Sequence, residues 1–327
     1  MKVLLCIREN YLKNFGGDSA QLLTTLKYLR RIGVDVNVNS GEIRDYTKYD
    51  IIHLFNITRV SDTYEYYKVA ARLNKTIVIT PIYWDLNIYY QYSKSRDHID
   101  LWERTSDLRR EILRGCSMIY PSSLLEMNLL RKDFGTHIPC TVIYNCVDWI
   151  TLNQPIDHKI NYLKKNFILS VARICPRKNQ LTLAQVCSKL GEKLVLVGEA
   201  KNIEYLQKCL MYKNVMHVGF LRGKELIKFY KNAKLHVLCS FVETPGLSSL
   251  EAGACGCNII STSEGSTEEY FKDMALYCNP YDDADIYNSI KAGLEINKQP
   301  QLQNHILQNY NIEKCLQPLY SSYLEVM

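Results

Sequence analysis

Short apolar runs alternate with helix-like stretches along the first half of the chain. Continuous apolar segments occur at 2–7, 34–38, 50–55, 76–80, 117–121 and 140–144. Runs of this length and composition are typical of strands that are buried on both faces. A helical pattern follows Gly16 and Gly17, from about residue 18 to residue 31, and similar patterns separate most of the other runs. This alternation predicts a mostly parallel sheet with helices on both faces.

The same alternation starts again after residue 165, with apolar runs at 166–172, 193–198, 214–219, 234–240, 257–262 and 275–279. Residues 145–155 between the two series have no clear periodicity and end at Pro155. We therefore predict two Rossmann-like, doubly wound α/β domains, residues 1–150 and 151–311, that face a central cleft. In such sheets ligands bind at the carboxyl ends of the strands.

The last segment, residues 312–327, has the pattern of a terminal helix, and we expect it to pack back toward the first domain. Pro318 lies within this segment. Because proline lacks a backbone donor and clashes with the preceding turn, we expect it to kink the helix or to end its first part.

Composition and charge exclude several classes of protein. No apolar run approaches the roughly 20 residues of a membrane-spanning helix, and the first apolar run is too short for a signal peptide. The 12 cysteines include no C-x-x-C pair and no histidine at ligand spacing, so we predict no metal site. The net charge of +6 is mild and no basic block occurs, so we do not expect nucleic acid as a partner. Reduced thiols in a cytoplasmic protein are the expectation.

Residues 241–257, FVETPGLSSLEAGACGC, place two glutamates between a predicted strand and a predicted helix. Residues 244–247 (TPGL) suit a type II turn, with proline second and glycine third. Ser248 and Glu251 fit a capping box, S-x-x-E, in which Glu251 would bond the backbone N–H of Ser248. In that interpretation Glu243 is a solvated loop carboxylate.

A second interpretation of these residues is a ligand site. A helix that begins after a glycine turn offers free N–H groups and the positive end of its dipole, which suit a phosphate. The carboxylates of Glu243 and Glu251, on either side of that turn, can accept hydrogen bonds from sugar hydroxyls. Together these groups would hold a sugar joined to a diphosphate.

Residues 170–180, SVARICPRKNQ, place cations at the end of the first strand of the second domain. Arg173, Arg177 and Lys178 are suited to an anion at the mouth of a parallel sheet. Taken alone, the segment would be interpreted as a solvated basic loop. Since the first and fourth strands of such a sheet are neighbours, we expect this loop and the glutamate loop to face one ligand.

These residues resemble the donor half of the retaining glycosyltransferases of family 4 (glycosyl transferases group 1), which have the two-domain GT-B fold. The family pattern has an arginine after the first strand, a lysine about five residues later, and then E-x-x-G-x-x-x-x-E. This chain matches it with Arg173, Lys178, Glu243, Gly246 and Glu251. Residues 145–148 (NCVD) are similar to the N-G-V-D linker of the family, although Cys146 replaces the glycine. Asn258 stands where the family has a proline.

The resemblance implies a role for each charged residue of the pattern. Arg173 and Lys178 would neutralise the departing diphosphate. Glu243 would accept hydrogen bonds from the hydroxyls of the donor sugar, and Glu251 would bind the ribose hydroxyls.

The resemblance also implies a set of backbone contacts to the donor. The N–H groups of Gly246, Leu247 and Ser248 would lie near the sugar and phosphates. The backbone at Phe220 and Leu221 would hold the base. Gly16 and Gly17 resemble the N-terminal glycine pair of the family, which lets the backbone approach the diphosphate closely because no side chain intervenes.

The first domain matches the family less closely. Many members carry a histidine after the strand that corresponds to residues 76–80, where this chain has Tyr83, Trp84 and Asp85. The resemblance leaves open which of these three takes its place; Asp85 is our candidate catalytic residue. Residues 83–111 interleave aromatic and charged residues and would form an acceptor groove, a membrane-surface contact, or a mobile lid or polar helical surface.

Two further polar candidates lie in the predicted strand 50–55 and at its end. His53 lies within the predicted strand 50–55, which favours a buried histidine of the core. Asn56 lies at the end of the same strand and is better placed to touch a ligand.

The resemblance implies a cytoplasmic hexosyltransferase that is retaining and metal-independent and needs no cofactor. Its substrates would be a nucleotide-sugar donor and a glycan or lipid-linked acceptor, with peripheral contact at the inner membrane surface. Two alternatives stay open, a non-catalytic sugar-nucleotide-binding module and a nucleotide-sugar epimerase. A nicotinamide-dependent dehydrogenase would require G-x-G-x-x-G after the first strand, and this motif is absent from the sequence.

Overall fold

A computed structural model of the chain describes residues 1–135, 137–153, 155, 166–298 and 300–327. The chain divides into two compact units, Met1–Asn145 with Ile312–Met327, and Cys146–Asn311. The division falls after residue 145, whereas the sequence pattern placed it after residue 150. Val147 explains the difference, because its N–H donates to the carbonyl of Tyr310 at 2.8 Å and so ties this segment to the second unit.

The first domain contains a parallel sheet. Its strands are β1 (Lys2–Cys6), β2 (Asp35–Asn39), β3 (Ile51–Phe55), β4 (Thr76–Thr80) and β5 (Met118–Ile119). They lie in the order β2-β1-β3-β4-β5, and each neighbouring pair is parallel. The strands predicted from the apolar runs at 2–7, 34–38, 50–55, 76–80 and 117–121 are therefore confirmed.

The strand predicted at 140–144 is wrong. Only Cys140 forms a β-bridge there, with Ile119. The backbone N–H groups of Thr141 and Ile143 still donate to the carbonyls of Ile119 and Pro121, at 3.0 and 2.9 Å. Because β5 is only two residues long, it offers too short a template for a regular sixth strand.

The helices of the first domain cover the faces of this sheet. They are α1 (Gly17–Arg31), α2 (Val60–Arg72), α3 (Asn87–Tyr92), α4 (Arg96–Arg104), α5 (Ser106–Arg114) and α6 (Leu124–Phe134). Residues 83–111 thus form mainly helical structure, and their Trp102 lies in the apolar core together with Ile79 and Ile112. The side chain of Arg109 is also buried, and burial lowers its pKa to about 10.

The second domain contains a second parallel sheet. Its strands are β6 (Ile168–Val171), β7 (Leu194–Val197), β8 (Val215–His217), β9 (Leu235–Leu238), β10 (Asn258–Thr262) and β11 (Leu276–Cys278). They lie in the order β11-β10-β9-β6-β7-β8. The first and fourth strands of this series, β6 and β9, are neighbours, with Ile168 opposite Leu235. The strand order reverses between them, so the chain continues from β6 and from β9 toward opposite edges of the sheet. The ends of these two strands therefore form a topological switch point.

The helices of the second domain pack on both faces of that sheet. They are α7 (Trp149–Leu152), α8 (Gln180–Lys189), α9 (Ile203–Leu210), α10 (Gly223–Asn232), α11 (Leu247–Ala254), α12 (Thr267–Phe271), α13 (Asp283–Glu295) and α14 (Pro300–Asn309), with short 3-10 helices at Pro176–Lys178 and Lys272–Met274. Gly253 of α11 allows close packing on α14, since a Cβ atom there would overlap Ile306.

The terminal helix, α15 (Ile312–Glu325), belongs to the first unit. It continues through Pro318, so the helix does not end at this residue. Ser322 on α15 accepts a hydrogen bond from the hydroxyl of Tyr120 at 3.0 Å. Arg31 of α1 pairs with Glu313 of α15 at 2.7 Å, which adds a surface contact to the buried one.

The cysteines are present as free thiols. Several are buried within strands or next to them, among them Cys6, Cys239 and Cys278. Burial raises the pKa of Cys6 and of Cys239 to about 12, so both thiols stay protonated at neutral pH. They pack as small apolar side chains, as the sequence pattern indicates.

None of the helices in the described ranges combines the length and the apolar character that crossing a membrane requires.

Candidate functional site

The loops that follow β6 and β9 are tied together at the switch point of the second sheet. The backbone N–H of Phe241 donates to the carbonyl of Arg177 at 3.0 Å. Nη1 of Arg177 donates in turn to the carbonyl of Val242 at 3.1 Å. The basic loop and the glutamate loop therefore lie side by side, as we inferred from the neighbouring positions of β6 and β9.

Lys178 and Glu243 form a buried ion pair between these two loops. Nζ of Lys178 donates to Oε1 of Glu243, and the hydroxyl of Ser240 donates to the same oxygen at 2.6 Å. The side chains of the lysine and the glutamate are only 12% and 7% exposed. The interpretation of Glu243 as a solvated loop carboxylate is therefore wrong.

The charges of this pair depend on each other. Burial alone would raise the pKa of Glu243, but Lys178 and Arg177, together with the hydrogen bonds from Lys178 and Ser240, bring it below its ordinary value. Burial lowers the pKa of Lys178, and the attraction of Glu243 opposes that change. Each member therefore stabilises the charged form of the other in a site that excludes most of the solvent.

Arg173 lies at the carboxyl end of β6 with an exposed side chain. Its backbone carbonyl accepts a hydrogen bond from Nε2 of Gln180 at 2.8 Å, which fixes the backbone at this position. Within the part of the chain that the structure describes, its guanidinium group makes no hydrogen bond or ion pair. The site thus combines a buried, paired cation at Lys178 with an exposed cation at Arg173.

Gly246 begins helix α11 with a backbone that favours glycine. Its φ of +82° lies in the left-handed region. A Cβ atom here would come within 3.0 Å of Leu238 Cδ1 and 3.6 Å of Glu243 Oε2. The positive φ agrees with the type II turn predicted at 244–247, whereas the ψ of +87° departs from the usual value near zero.

The capping box predicted at Ser248 and Glu251 is wrong. The helix begins at Leu247, with Gly246 as its N-cap and no side chain capping it. Ser248 lies one residue inside the helix, and its hydroxyl donates to the carbonyl of Val171 at 2.7 Å. This bond fixes the first turn of α11 against the end of β6, while the N-terminal N–H groups of the helix are left without a side-chain cap.

Glu251 bonds a side chain of another helix. Its Oε2 accepts a hydrogen bond from the hydroxyl of Tyr230 at 2.8 Å. Burial raises the pKa of Glu251, and the hydrogen bond from Tyr230 opposes this effect. Neither Tyr230 nor Ser240 was predicted from the sequence, because a tyrosine in a helix and a serine after a strand carry no local signal of a site.

The loop after β10 supports Glu243 from its other side. The N–H of Glu243 donates to the carbonyl of Glu264 at 3.0 Å, and its carbonyl accepts from the N–H of Ser266 at 3.2 Å. Gly265 lies between these two residues with a φ of +136°, and a Cβ atom there would overlap the carbonyl oxygen of Glu243. Glycine at 265 is therefore required for this contact.

The loop after β8 carries the residues predicted to face a base. Phe220 is 45% exposed, and the guanidinium carbon of Arg222 lies 4.7 Å from the centre of its ring. Leu221 is half-buried and packs against the apolar cluster that includes Phe229 and Ala252. β8 lies at the edge of the sheet, so this loop begins two strands away from the loop that carries Lys178.

In the first domain, Gly16 and Gly17 begin helix α1. Gly16 is its N-cap in an extended conformation, and a Cβ atom there would come within 2.9 Å of Asp18 Oδ1. Asp18 pairs with Arg8 through two hydrogen bonds, at 2.6 Å from Nε and 3.0 Å from Nη2. Both side chains of this pair are buried. This pair was not predicted from the sequence.

The loop after β4 distinguishes the candidates Tyr83, Trp84 and Asp85. Tyr83 is 2% exposed, and its hydroxyl donates to Asp133 at 2.7 Å, so it belongs to the core. Trp84 is half-buried. Asp85 is also half-buried, and its Oδ1 accepts the N–H of Asn87 at the start of α3, at 2.9 Å. Its second oxygen accepts no hydrogen bond from any described residue.

The conformation of this loop depends on Glu126. Ile82 has a φ of +49°, which is unfavourable for a β-branched residue. Oε1 of Glu126 accepts the N–H of Tyr83 at 2.7 Å, and Oε2 accepts the N–H and the hydroxyl of Ser122 at 2.7 and 2.6 Å. The buried carboxylate of Glu126 therefore holds the strained turn in place.

His53 is a residue of the core, as predicted. It is fully buried, and Nε2 lies 2.9 Å from the hydroxyl of Thr80. Burial lowers its pKa to about 3. Asn56 is also buried, with a φ of +76°, and its Oδ1 accepts the N–H of Thr58 at 2.9 Å.

The second domain matches the profile of the family described as glycosyl transferases group 1, over residues 154–310. An uncharacterized glycosyltransferase of Methanocaldococcus jannaschii is 31% identical over 148 residues, which cover 40% of this chain and 38% of that protein. A 2-deoxystreptamine N-acetyl-D-glucosaminyltransferase of Niallia circulans is 24% identical over 206 residues. These cover 55% of this chain and 52% of that protein, so the chain spans about half or less of the length of these relatives.

Solved structures match the chain over its whole length. The sucrose-phosphate synthase of Thermosynechococcus elongatus superposes with a TM-score of 0.79 at 17% identity, covering 100% of this chain and 99% of that one. The HepE protein of Anabaena, solved in complex with UDP and glucose, has a TM-score of 0.77 at 16% identity, covering 99% and 100%. At this level of identity the likeness establishes the fold, which is that of the GT-B glycosyltransferases. The match to the glycosyl transferases group 1 family thus lies in the second domain, over residues 154–310.

Proposed function

We propose that this protein is a glycosyltransferase that moves a hexosyl group from a nucleoside-diphosphate sugar to a glycan or lipid-linked acceptor. The observation that carries the proposal is the buried ion pair of Lys178 and Glu243 at the switch point of the second sheet. The uncapped N-terminus of α11 begins beside Glu243, and the exposed cation of Arg173 follows β6, the strand that precedes Lys178. This is the arrangement of charge that a sugar bound to a diphosphate requires.

The departing diphosphate accumulates negative charge as the glycosyl–phosphate bond breaks. Arg173 and Lys178 are the cations that would stabilise this charge, and the N-terminus of α11 adds the positive end of its dipole. On donor binding, a sugar hydroxyl would donate to Glu243, and Lys178 would exchange part of its contact with Glu243 for a phosphate oxygen. Glu251 would then accept a hydrogen bond from the ribose.

We propose a retaining reaction in which the acceptor attacks from the face that the phosphate leaves. The departing phosphate would then take the proton of the acceptor hydroxyl. The immediate partners of the Glu243 carboxylate are Lys178 and Ser240, which suit binding of a sugar hydroxyl. The fixed cations would supply the charge stabilisation, so the proposed reaction is independent of metal and needs no cofactor.

The acceptor is proposed from the relatives. A Campylobacter jejuni protein that is 25% identical over 191 residues is named for transfer of N-acetylgalactosamine to a diphospho-undecaprenol acceptor. An acceptor of this kind would bring the protein to the inner face of the membrane, from the cytoplasm. Asp85, at the carboxyl end of β4, is the candidate for the acceptor side, since Tyr83 is part of the core.

Isothermal titration with UDP, GDP, ADP and their common sugar conjugates, without added metal, tests the donor site. UDP is the first probe, because HepE was solved with it. We expect binding of one diphosphonucleoside, weakened at least tenfold in Arg173→Ala. Lys189→Ala is the matched control, since Lys189 is an exposed cation at the end of α8 in the same domain.

The outcomes of this titration separate the remaining alternatives. No affinity for any of the nucleotides would refute the proposed donor site. Binding of the donor with neither transfer to an acceptor nor release of the sugar over long incubation would favour the non-catalytic binding module. Conversion of the bound sugar into its epimer would identify an epimerase.

A further inference from the structure

A hydrogen bond joins two helices that begin at the carboxyl edge of the second sheet. The hydroxyl of Tyr230, on α10, donates to Oε2 of Glu251, on α11, at 2.8 Å. Helix α10 follows β8 and helix α11 follows β9, so the bond connects the segment after the predicted base loop with the segment after the glutamate loop.

The ring of Tyr230 is held by the core of the domain. It is fully buried within the apolar cluster of Phe167, Val195 and Ala252. Its edge packs on the ring of His236 in β9, with the ring centres 6.0 Å apart. The position of its hydroxyl is therefore set by the packing of the sheet and its helices, and a partner supported in this way holds a site side chain in one orientation.

The surroundings of Glu251 make the hydrogen bond from Tyr230 important for the ionisation of the Glu251 carboxyl group. Burial favours the neutral carboxyl, and the hydrogen bond from Tyr230 on α10 favours the carboxylate. Cys255, directly after α11, is a further titratable group beside Glu251. Cys257, before β10, and His236, in β9, lie beside Tyr230. Across the described residues, no cation pairs with Glu251, and Oε1 accepts no hydrogen bond.

We propose that Tyr230 is a positioning residue that fixes Glu251 by occupying Oε2, so that Oε1 accepts a hydrogen bond from a ribose hydroxyl of the donor. This inference rests on the proposed function and adds to it the interaction by which the donor site would select a ribonucleotide. Tyr230 does not touch the substrate; it acts through the orientation and the ionisation of Glu251.

Tyr230→Phe tests this role, because it removes one oxygen and keeps the packed ring. The probes are the ribonucleoside diphosphate that the wild type binds, together with its 2′-deoxy and 3′-deoxy analogues, in isothermal titration. The wild type should favour the ribonucleotide over at least one analogue. We expect Tyr230→Phe to bind the ribonucleotide about tenfold more weakly and to bind that analogue unchanged, so that the preference is lost.

The pH dependence of binding gives a second readout. Without the hydrogen bond from Tyr230 the pKa of Glu251 rises further, so a smaller fraction is ionised at a given pH. As the pH is lowered, the affinity of Tyr230→Phe for the ribonucleotide should then begin to fall at a higher pH than the affinity of the wild type. A tyrosine with a purely structural role would not shift this profile.

Two further variants complete the design. Tyr277→Phe is the control, since within the described ranges the hydroxyl of Tyr277 in β11 donates only to a backbone carbonyl, that of Lys272, at 2.6 Å. It should keep the preference for ribose. Glu251→Gln and the double variant Tyr230→Phe/Glu251→Gln complete a cycle in which the double loss should be much smaller than the sum of the single losses.

The results divide as follows. A Tyr230→Phe protein that keeps the ribose preference and the pH profile, or that binds all analogues equally less well, would overturn the positioning role. The proposed donor site still stands after either of these outcomes, provided that the wild type binds the ribonucleotide. A wild type that binds no nucleoside diphosphate would remove the proposed function and the role of Tyr230 with it.

Discussion

Arg177 and Val242 contact each other through the guanidinium Nη1 of the first and the backbone carbonyl of the second, at 3.1 Å. The carbonyl of Arg177 accepts the N–H of Phe241 in return, at 3.0 Å. One arginine thus fixes the backbone of both loops at the switch point. The contact between Lys178 and Glu243 follows from this arrangement, since each residue is adjacent to one that takes part in it.

Replacing Lys178 with alanine should reduce turnover about a hundredfold or more, because one of the cations proposed to stabilise the departing diphosphate is lost. It should also lower the stability of the protein by about 3 kcal/mol, since Glu243 is left buried without its partner. Steady-state kinetics and denaturant unfolding measure the two effects. Lys189→Ala, on the surface of α8, is the control, and unchanged turnover in a folded Lys178→Ala protein would refute the assigned role.

Asp85→Asn should show whether the reaction needs the negative charge of Asp85, as distinct from its hydrogen bond at the start of α3. Asparagine keeps an oxygen that can accept the N–H of Asn87, so the start of α3 is preserved, but the negative charge is lost. We expect transfer to the acceptor to fall at least tenfold with donor affinity unchanged. In contrast, Tyr83→Phe should leave transfer unaffected and lower stability by about 1 kcal/mol, because only its bond to Asp133 is removed. Full activity of Asp85→Asn would exclude Asp85 as a catalytic residue.

Glu126→Gln should loosen the loop after β4. The amide nitrogen of glutamine would face either the N–H of Tyr83 or that of Ser122, and two donors cannot bond each other. We expect a loss of about 2–3 kcal/mol in the free energy of unfolding, together with a higher KM for the acceptor. Glu111→Gln serves as the control, since Glu111 is exposed and, among the described residues, its carboxylate accepts only the hydroxyl of Tyr64. A stable Glu126→Gln protein would show that the turn at Ile82 persists without the carboxylate.

Stability should fall as the pH is lowered below about 6.5. Burial lowers the pKa of His53 and of His236 to about 3, so both stay neutral in the folded protein. The unfolded chain takes up their protons below its own histidine pKa, near 6.5, so stability is present above that pH and is lost as the pH falls toward 3. Each histidine should contribute a slope of about 1.4 kcal/mol per pH unit.

Denaturant unfolding of the first domain between pH 7 and 4, in the wild type and in His53→Gln, measures this slope. The variant should lose the contribution of His53 to the slope, although it is also less stable at neutral pH. Identical slopes for the two proteins would contradict the assignment of His53 as a neutral core residue.

The periodicity of the sequence predicted the strands well, because strands of a parallel sheet buried on both faces are short continuous apolar runs. Residues 140–144 have the same composition and form only a single bridge, with Ile119. Apolar character specifies burial there, but a strand also needs a partner of sufficient length, and the length of β5 cannot be derived from residues 140–144.

The charged residues of the candidate site could be predicted from their order along the chain, whereas their hydrogen-bond partners could not. Ser248 and Glu251 have the spacing of a capping box, yet they bond Val171 and Tyr230, which are 77 and 21 positions away in the sequence. These long-range bonds outweigh the local motif, because Gly246 already begins the helix. The sequence likewise left Tyr83 and Asp85 equivalent, and the turn at Ile82 decides which of them is buried.

Gly265 has a consequence for attempts to redesign the proposed sugar site. Its missing side chain allows the backbone at 264–266 to bond the backbone of Glu243 directly, so any bulk introduced at 265 would displace the residue proposed to hold the sugar. A library intended to change the accepted hexose should keep this glycine fixed and diversify the side chains on either side of it. Glu264 is one such position, because only its backbone takes part in the contact.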